Sequence, residues 1–355
     1  MSSARSLEGL RVLDLTHGGF AYGGYLFAGH AADVTSLGCA RDRTYSTWET
    51  LGPSAEERAA DLERAEVRAE IARQLGSADV VLESFAPGAL ERHGLGWEDV
   101  AAKHPRLVWA SMTSFGRSGP RREWKSTNLL AWAISGLLPS IGDPDRAPLA
   151  PGGQIPLADL LTALHTAIGV QIALRARKTT GRGQLVDVST QATAVAASCE
   201  LGAAMFLDDL IARRRIGNRR RQLAPSGLYE CKDGFAAVII LPPAHWDAMA
   251  KWIHEKTGNE TVLDPMWRDL ATRVETAELL ESWIEELTPH YTKQELFEQG
   301  QKRGITITPA NTLTTLLADP HLAARGWWRT GKNEEGKPEK VAGPPYRLRG
   351  DEHRS

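Results

Sequence analysis

Cysteine is scarce in this chain. Cys39, Cys199 and Cys231 are the only three in 355 residues, and they lie too far apart to form a metal or redox motif. That excludes a disulfide-stapled scaffold and predicts reduced, core-facing thiols. Net charge is scarce as well. At −2 it gives no global electrostatic case for nucleic acid. The one basic run, Arg213 to Arg221, is short and has no interleaved aromatics, so it reads as a crossing between domains rather than a nucleic-acid groove. The opening MSSARSLEGLRVLDL has no apolar secretory core, which predicts a cytoplasmic protein. The apolar run 155–174 is long enough to raise a membrane question. Asp159, His165 and Gln171 interrupt it, so the expectation is a buried helix and no membrane partner. What remains, 42% hydrophobic and 24% charged residues, is ordinary globular composition at a length that suggests about two domains.

The most ordered stretch runs from Gly152 to Val188 and reads as loop, helix, turn and strand. Gly152 and Gly153 permit unusual dihedrals, and Pro156 suits the first turn of a helix. Leu160, Leu161, Leu164, Ile168 and Ile172 then recur at helical spacing. Arg175, Arg177 and Lys178 complement the far end of the helix dipole, and Gly181 and Gly183 break the chain before Leu185, Val186 and Val188. Asp159 falls in the first turn. One reading is a surface Asp that complements the helix N-terminus, worth ~0.3–1 kcal/mol. The other is a carboxylate nucleophile beside an open loop, which needs no general base because an Asp of ordinary pKa is ionised at neutral pH. His165 lies about 240° around the helix from Asp159, so it is not an obvious partner.

Elsewhere the pattern is strand, loop and helix. Leu10 to Leu15 reads as a first parallel strand followed by Thr16-His17-Gly18-Gly19 and a helical pattern through His30, a Rossmann-like opening without GxGxxG spacing. Ala32 to Leu37 and Ala78 to Glu83 read as strands, and residues 54–75 as a charged helix with Ser54 as N-cap. Pro225 to Val238 reads as a hairpin turned by Lys232-Asp233-Gly234. Trp246, Trp252, Trp267 and Trp283 are expected in a core or an interface.

These blocks together resemble the class III CoA-transferase family. The resemblance rests on Gly153, Asp159 and the run Thr180-Gly181-Arg182-Gly183-Gln184-Leu185-Val186-Asp187-Val188-Ser189. It continues in Glu83-Ser84-Phe85-Ala86-Pro87-Gly88, similar to the family's ENFRPG turn, and in Ser114-Phe115-Gly116-Arg117-Ser118-Gly119-Pro120, similar to SGFGQTGP. Ala318-Asp319-Pro320-His321-Leu322-Ala323-Ala324-Arg325-Gly326 and Gly343-Pro344-Pro345 resemble its later motifs. The resemblance implies that Asp159 is the nucleophile that attacks an acyl-CoA thioester. It implies oxyanion or acyl contacts from Gly18, Gly19, Gly152 and Gly153, and CoA contacts from His17, Arg41, Phe85 and Lys125. It implies no metal and no cofactor, since coenzyme A enters as a thioester substrate. Gly19 stands where formyl-CoA transferases carry a glutamine, which speaks against formyl or oxalyl specificity. The family's basic phosphate-contacting segment has no counterpart near 38–75 apart from Arg41 and Arg43, so CoA binding is expected to be weaker than in members that keep it.

The expected architecture is α/β. A large Rossmann-like CoA-binding domain spans 1–200 and is completed by 325–355. A basic linker spans 201–224, and a small α+β domain spans 225–324. By resemblance the subunits interlock as a ring-like homodimer, with a heteromer of related chains also open. The leading activity is transfer of CoA from an acyl-CoA to a carboxylic acid. Two alternatives compete: a non-catalytic or partner-dependent subunit, and an acyl-CoA isomerase or racemase. The racemase branch places a His-Asp pair near Thr127-Asn128, and no His lies between His104 and His165.

Overall fold

The computed structural model describes residues 6–37, 62–153, 155–198, 215–220, 223–332, 337–343 and 345–346. It divides into two compact units, one of Met1–Pro139, Ala150–Arg213 and Pro320–Ser355, the other of Ser140–Leu149 and Arg214–Asp319.

The first unit is built on a parallel sheet. Strands β1 (Arg11–Leu15), β2 (Asp33–Ser36), β3 (Val80–Glu83), β4 (Val108–Thr113) and β5 (Leu185–Ser189) align in the order β2-β1-β3-β4-β5. Helices α1 (Tyr22–Gly29), α2 (Ala65–Leu75), α3 (Trp97–Lys103), α4 (Asn128–Ile134), α5 (Leu157–Thr180) and α6 (Thr190–Ser198) alternate with these strands. Every residue of β3 and β4 is buried, as the middle of a sheet covered on both faces requires. Side chains alternate between those faces. Leu13, Leu15, Val81 and Trp109 pack with Ile71 and Leu75 of α2 and Val100 of α3. Val12, Val80, Leu82 and Val108 pack with Phe27 of α1 and Ala163, Val170 and Ala173 of α5. The chain runs from β1 outward to β2 and then back across to β3. The point of reversal therefore lies between β1 and β3, and ligands of such sheets bind outside the strand carboxyl ends at that crevice.

Two local expectations need correction. The charged helix expected over 54–75 is not continuous: residues 62–64 are turn and a helix starts at Ala65, while the Ser54 cap and the rest of 54–61 lie outside the described residues. Leu62 is drawn into the core, and Arg64 is extended, with its guanidinium on Glu66 at 2.9 Å. The second concerns α5. It buries its small side, Ala158, Thr162, Ala163, Thr166, Val170 and Ala173, while Leu164, Ile168 and Ile172 are 40%, 52% and 65% exposed. The sheet demands that inversion, because a Cβ on Gly169 would stand 2.7 Å from Cγ1 of Val186. Bulk is therefore excluded from the sheet-facing side. Among the described residues, α5 is also the one helix whose length and composition would suffice to cross a membrane.

The second unit carries β6 (Ser226–Cys231) and β7 (Gly234–Ile239), an antiparallel hairpin closed by Lys232-Asp233, with β8 (Thr306–Pro309) antiparallel to β7. Helices α7 (Pro243–Thr257), α8 (Leu270–Glu275), α9 (Ala277–Leu287) and α10 (Lys293–Lys302) belong to it, as does a short helix at Leu313–Leu317. Trp246, Trp252, Trp267 and Trp283 are all in its core, together with the free thiol of Cys231. Cys39 and Cys199 lie outside the described residues. Within the basic run, Arg219 is committed to this unit. Its guanidinium stacks 3.7 Å from the Tyr229 ring and pairs with Glu281 and Glu285. Arg215 donates from Nε to the Asp143 carbonyl at 3.0 Å. Arg213, Arg214 and Arg221 lie outside the described residues.

Candidate active site

The site begins with a helix that does not cap itself. Pro156 occupies the cap position of α5 and offers no side-chain acceptor. Asn128 supplies one from another helix: its Oδ1 accepts the Ala158 N–H at 2.7 Å. Thr127 beside it accepts the Leu130 N–H and caps α4. The pair singled out for its place in the racemase branch thus secures two helix starts.

Asp159 follows Ala158 in the first turn of α5. Its carboxyl makes no hydrogen bond among the described residues. Burial pushes its pKa up to about 6. A surface Asp serving the helix dipole would be pulled down; this one pays for its place with desolvation. The carboxylate is therefore more basic than that of an ordinary Asp.

Gly19 is the nearest wall. It is buried, and a Cβ there would lie 2.6 Å from the Asp159 Cβ and 3.1 Å from Cγ of Pro156, so no other residue fits without displacing the carboxylate. Gly18, at φ +53°, turns the chain into that approach. The N–H groups of Gly18 and Gly19 make no hydrogen bond among the described residues. Gly152 and Gly153 lie on the other approach to α5, at φ +80° and +58°, and the Gly153 N–H donates to the Ala150 carbonyl.

His17 opens the β1 exit loop and is tied to the β3 exit. Its backbone N–H donates to Ser84 Oγ at 3.0 Å, its Nδ1 lies 2.7 Å from the same oxygen, and its ring packs edge-on to Phe20. Phe85 is buried in the α2–α3 side of the core, and its N–H donates to Glu83 Oε2 at 2.8 Å. Lys125 is exposed in the loop before α4. Arg41 lies outside the described residues.

Sequence reasoning missed a charge cluster behind these loops. Glu83 is fully buried at the end of β3, and burial raises its pKa. Arg117 reaches it at 3.4 Å and also pairs with Glu91, while the Arg117 N–H donates to both Asp187 oxygens at 3.1 and 3.0 Å. The Ser114–Pro120 loop is thereby clamped to β3 and β5. The residues were visible in the sequence; their convergence required the β3-β4-β5 register.

Known proteins carry the same arrangement of chain. The chain is 33% identical to the BbsE subunit of succinyl-CoA:(R)-benzylsuccinate CoA-transferase from Thauera aromatica, over 95% of this chain and 87% of that one. It is 32% identical to succinyl-CoA–D-citramalate CoA-transferase of Chloroflexus aurantiacus, over 78% of this chain and 68% of that one. A CaiB/BaiF family protein from Brucella suis superposes with a TM-score of 0.80 at 25% identity, covering 98% of this chain and 93% of that structure. The sequence profile of CoA-transferase family III matches residues 7–355, and with these relatives it establishes that the chain belongs to that family and is a CoA-transferase.

Proposed function

We propose that this CoA-transferase works through covalent catalysis at Asp159. A carboxylate oxygen of Asp159 attacks the thioester carbonyl of the donor, the C–S bond breaks, and CoA leaves as thiolate from a mixed anhydride. The thiolate attacks the Asp159 carbonyl of that anhydride, forming an aspartyl-CoA thioester and releasing the donor's carboxylate. The acceptor carboxylate attacks this thioester and expels the thiolate again. The thiolate then attacks the acceptor's carbonyl, which restores Asp159 and releases the new acyl-CoA. Each stage splits a hard exchange into easier displacements. Backbone N–H groups of Gly18, Gly19 and Gly152 are the donors for the oxyanions, each worth roughly 3–4 kcal/mol where such a donor is well placed, and Gly153, whose N–H is on Ala150, shapes the loop.

The observation that carries this reading is the partly buried carboxyl of Asp159, without a hydrogen bond among the described residues, with Gly19 pressed against it. Both relatives named above have succinyl-CoA in their names as CoA donor, which makes succinyl-CoA the donor to try first. His17, Phe85, Lys125 and Arg41 are proposed to contact CoA. The test is steady-state transfer from succinyl-CoA to a panel of dicarboxylic acids by the wild type and by Asp159→Asn. Transfer by the first and none by the folded second is expected; equal rates would sink the mechanism.

Assembly belongs to the same proposal. Leu164, Ile168 and Ile172 form an exposed apolar stripe at i, i+4 and i+8, which supports a subunit interface in a cytoplasmic homodimer. A relative that is itself a subunit favours a heteromer as the second reading. Sedimentation of the purified chain distinguishes them: a stable dimer supports the first, and a monomer that gains activity only with a related chain supports the second.

A further inference from the structure

We infer that Arg117 is a positioning residue for coenzyme A binding, locking the turn that leaves β3 through the carboxyl of Glu83. Strand register sets up the arrangement. Glu83 of β3 pairs with Ser111 of β4, and Ser111 pairs with Asp187 of β5, so the three form one row across the sheet and share a face. β4 ends at Thr113, and the chain then folds back so that Arg117 meets the whole row. Gly116, at φ +87°, makes that turn, its N–H donating to Thr113 Oγ1 at 2.9 Å. One guanidinium nitrogen of Arg117 donates to Glu83 Oε1 and to Ser111 Oγ, both at 3.4 Å, while its backbone N–H donates to Asp187. The other terminal nitrogen donates to Glu91, whose side chain is confined by Gly96, where a Cβ would stand 2.5 Å from the Glu91 Cγ. Among the described residues no other cation pairs with Glu83 or Glu91.

These bonds lead to the turn. Glu83 uses its second oxygen for the Phe85 N–H at 2.8 Å, so one carboxyl joins the guanidinium to the residues that follow β3. The link needs an arginine. Two nitrogens of a planar fork serve two carboxylates and a hydroxyl, which a single ammonium cannot reproduce. Stability alone does not call for the cluster. The Glu83 side chain is 1% exposed and that of Arg117 18%, and a buried ion pair is often no more stabilising than apolar residues of the same volume. Its place is the better reason, because the row lies at the carboxyl ends of the strands, where sheets of this kind hold ligands. The contact of this turn with coenzyme A rests on the proposed role of Phe85; the clamp does not. Arg117 acts on the ligand through Glu83.

Arg117→Lys keeps the charge and loses the fork. In the full chain it is expected to raise the calorimetric Kd for CoA on the order of tenfold, the loss of about one charge-assisted hydrogen bond. Its thermal midpoint should stay close to that of the wild type, and deuterium exchange over 84–88 should quicken. Glu83→Gln, which keeps an acceptor for the Phe85 N–H, should also weaken CoA binding. The double variant should bind no worse than the weaker single, since both break one link. Should Arg117→Lys fail to fold, Arg117→Met combined with Glu83→Gln removes both charges together, and this protein is expected to show the same loss of affinity. Wild-type affinity in the folded Arg117 variant, or single losses that multiply in the double, would overturn the inference. CoA that leaves exchange over 84–88 unchanged in the wild type would sink the Phe85 contact and not the clamp, which falls only with the affinity results.

Discussion

Asp159 and Glu295 occupy the same place in two different helices, the third residue of the first turn. At α10, Thr292 accepts the Glu295 N–H while Glu295 accepts from the Thr292 N–H at 2.8 Å and its hydroxyl at 3.0 Å. Those bonds hold the Glu295 pKa below the usual carboxylate range. At α5 the same position carries an acid with no such partner, and burial drives its pKa up to about 6. Asn128 does the capping instead, from another helix. One helix spends its acid on local structure. The other withholds it, and a local rule broken with compensation from elsewhere is the mark of a functional position.

Removing each acid in turn should separate the two roles. Asp159→Asn is expected to lower kcat by 10³-fold or more, on the order of the loss of a covalent nucleophile. Glu295→Gln should leave kcat unchanged and lower the thermal midpoint slightly. Transfer kinetics and thermal melts of both variants check this; comparable activity losses would erase the contrast.

Acidity offers the next test. In the proposed mechanism the carboxylate is the attacking form, so the rate of enzyme acylation should rise with pH through about 6 and level off above it. Rapid-quench measurements between pH 5 and 8 would show the limb. A limb near 4 would mean that burial does not govern this group.

Stability should move the opposite way. The folded pKa lies above the ordinary value of 3.8, so the folded protein binds more protons between the two values. The stabilising contribution is complete below about pH 4 and is lost as pH rises through 6. Asp159→Asn removes that loss and should be more stable than wild type at pH 7, by on the order of 1–2 kcal/mol once partial solvent screening is allowed for. Urea unfolding at pH 5 and 7 measures it. A variant less stable than wild type at pH 7 would contradict the burial account. This differs from what the sequence suggests, where only a small dipole term is at stake.

The smallest effect is expected from the cap. Asn128→Ala should cost about 1 kcal/mol of stability and lower kcat by several-fold. Asn128→Asp keeps the acceptor but adds a charge near Asp159, which should move the acidic limb of the acylation profile upward. A profile that stays in place would limit Asn128 to a structural role.

Much of this was legible in the chain. The strand at 11–15, the loop at His17-Gly18-Gly19 and the helix opening at Asp159 follow from spacing and turn chemistry, because those signals are local. The hairpin at Lys232-Asp233 and the buried tryptophans are local or compositional in the same way. What was not legible depends on distant partners. The large apolar residues of α5 predict the buried side by periodicity, yet close approach to β5 through Gly169 reserves that side for small residues. Asn128 begins its own helix in the structure, and nothing nearby in sequence says that it caps another 30 residues on. The Ser84–His17 bridge spans 67 residues and exists only because β1 and β3 are neighbours.

The most direct test of the central claim is chemical capture at the carboxyl. Wild-type protein mixed with succinyl-CoA and hydroxylamine, digested and sequenced by mass spectrometry, should carry a hydroxamate on Asp159 and on no other residue. A protein that transfers CoA under the same conditions with Asp159 unmodified would contradict the account.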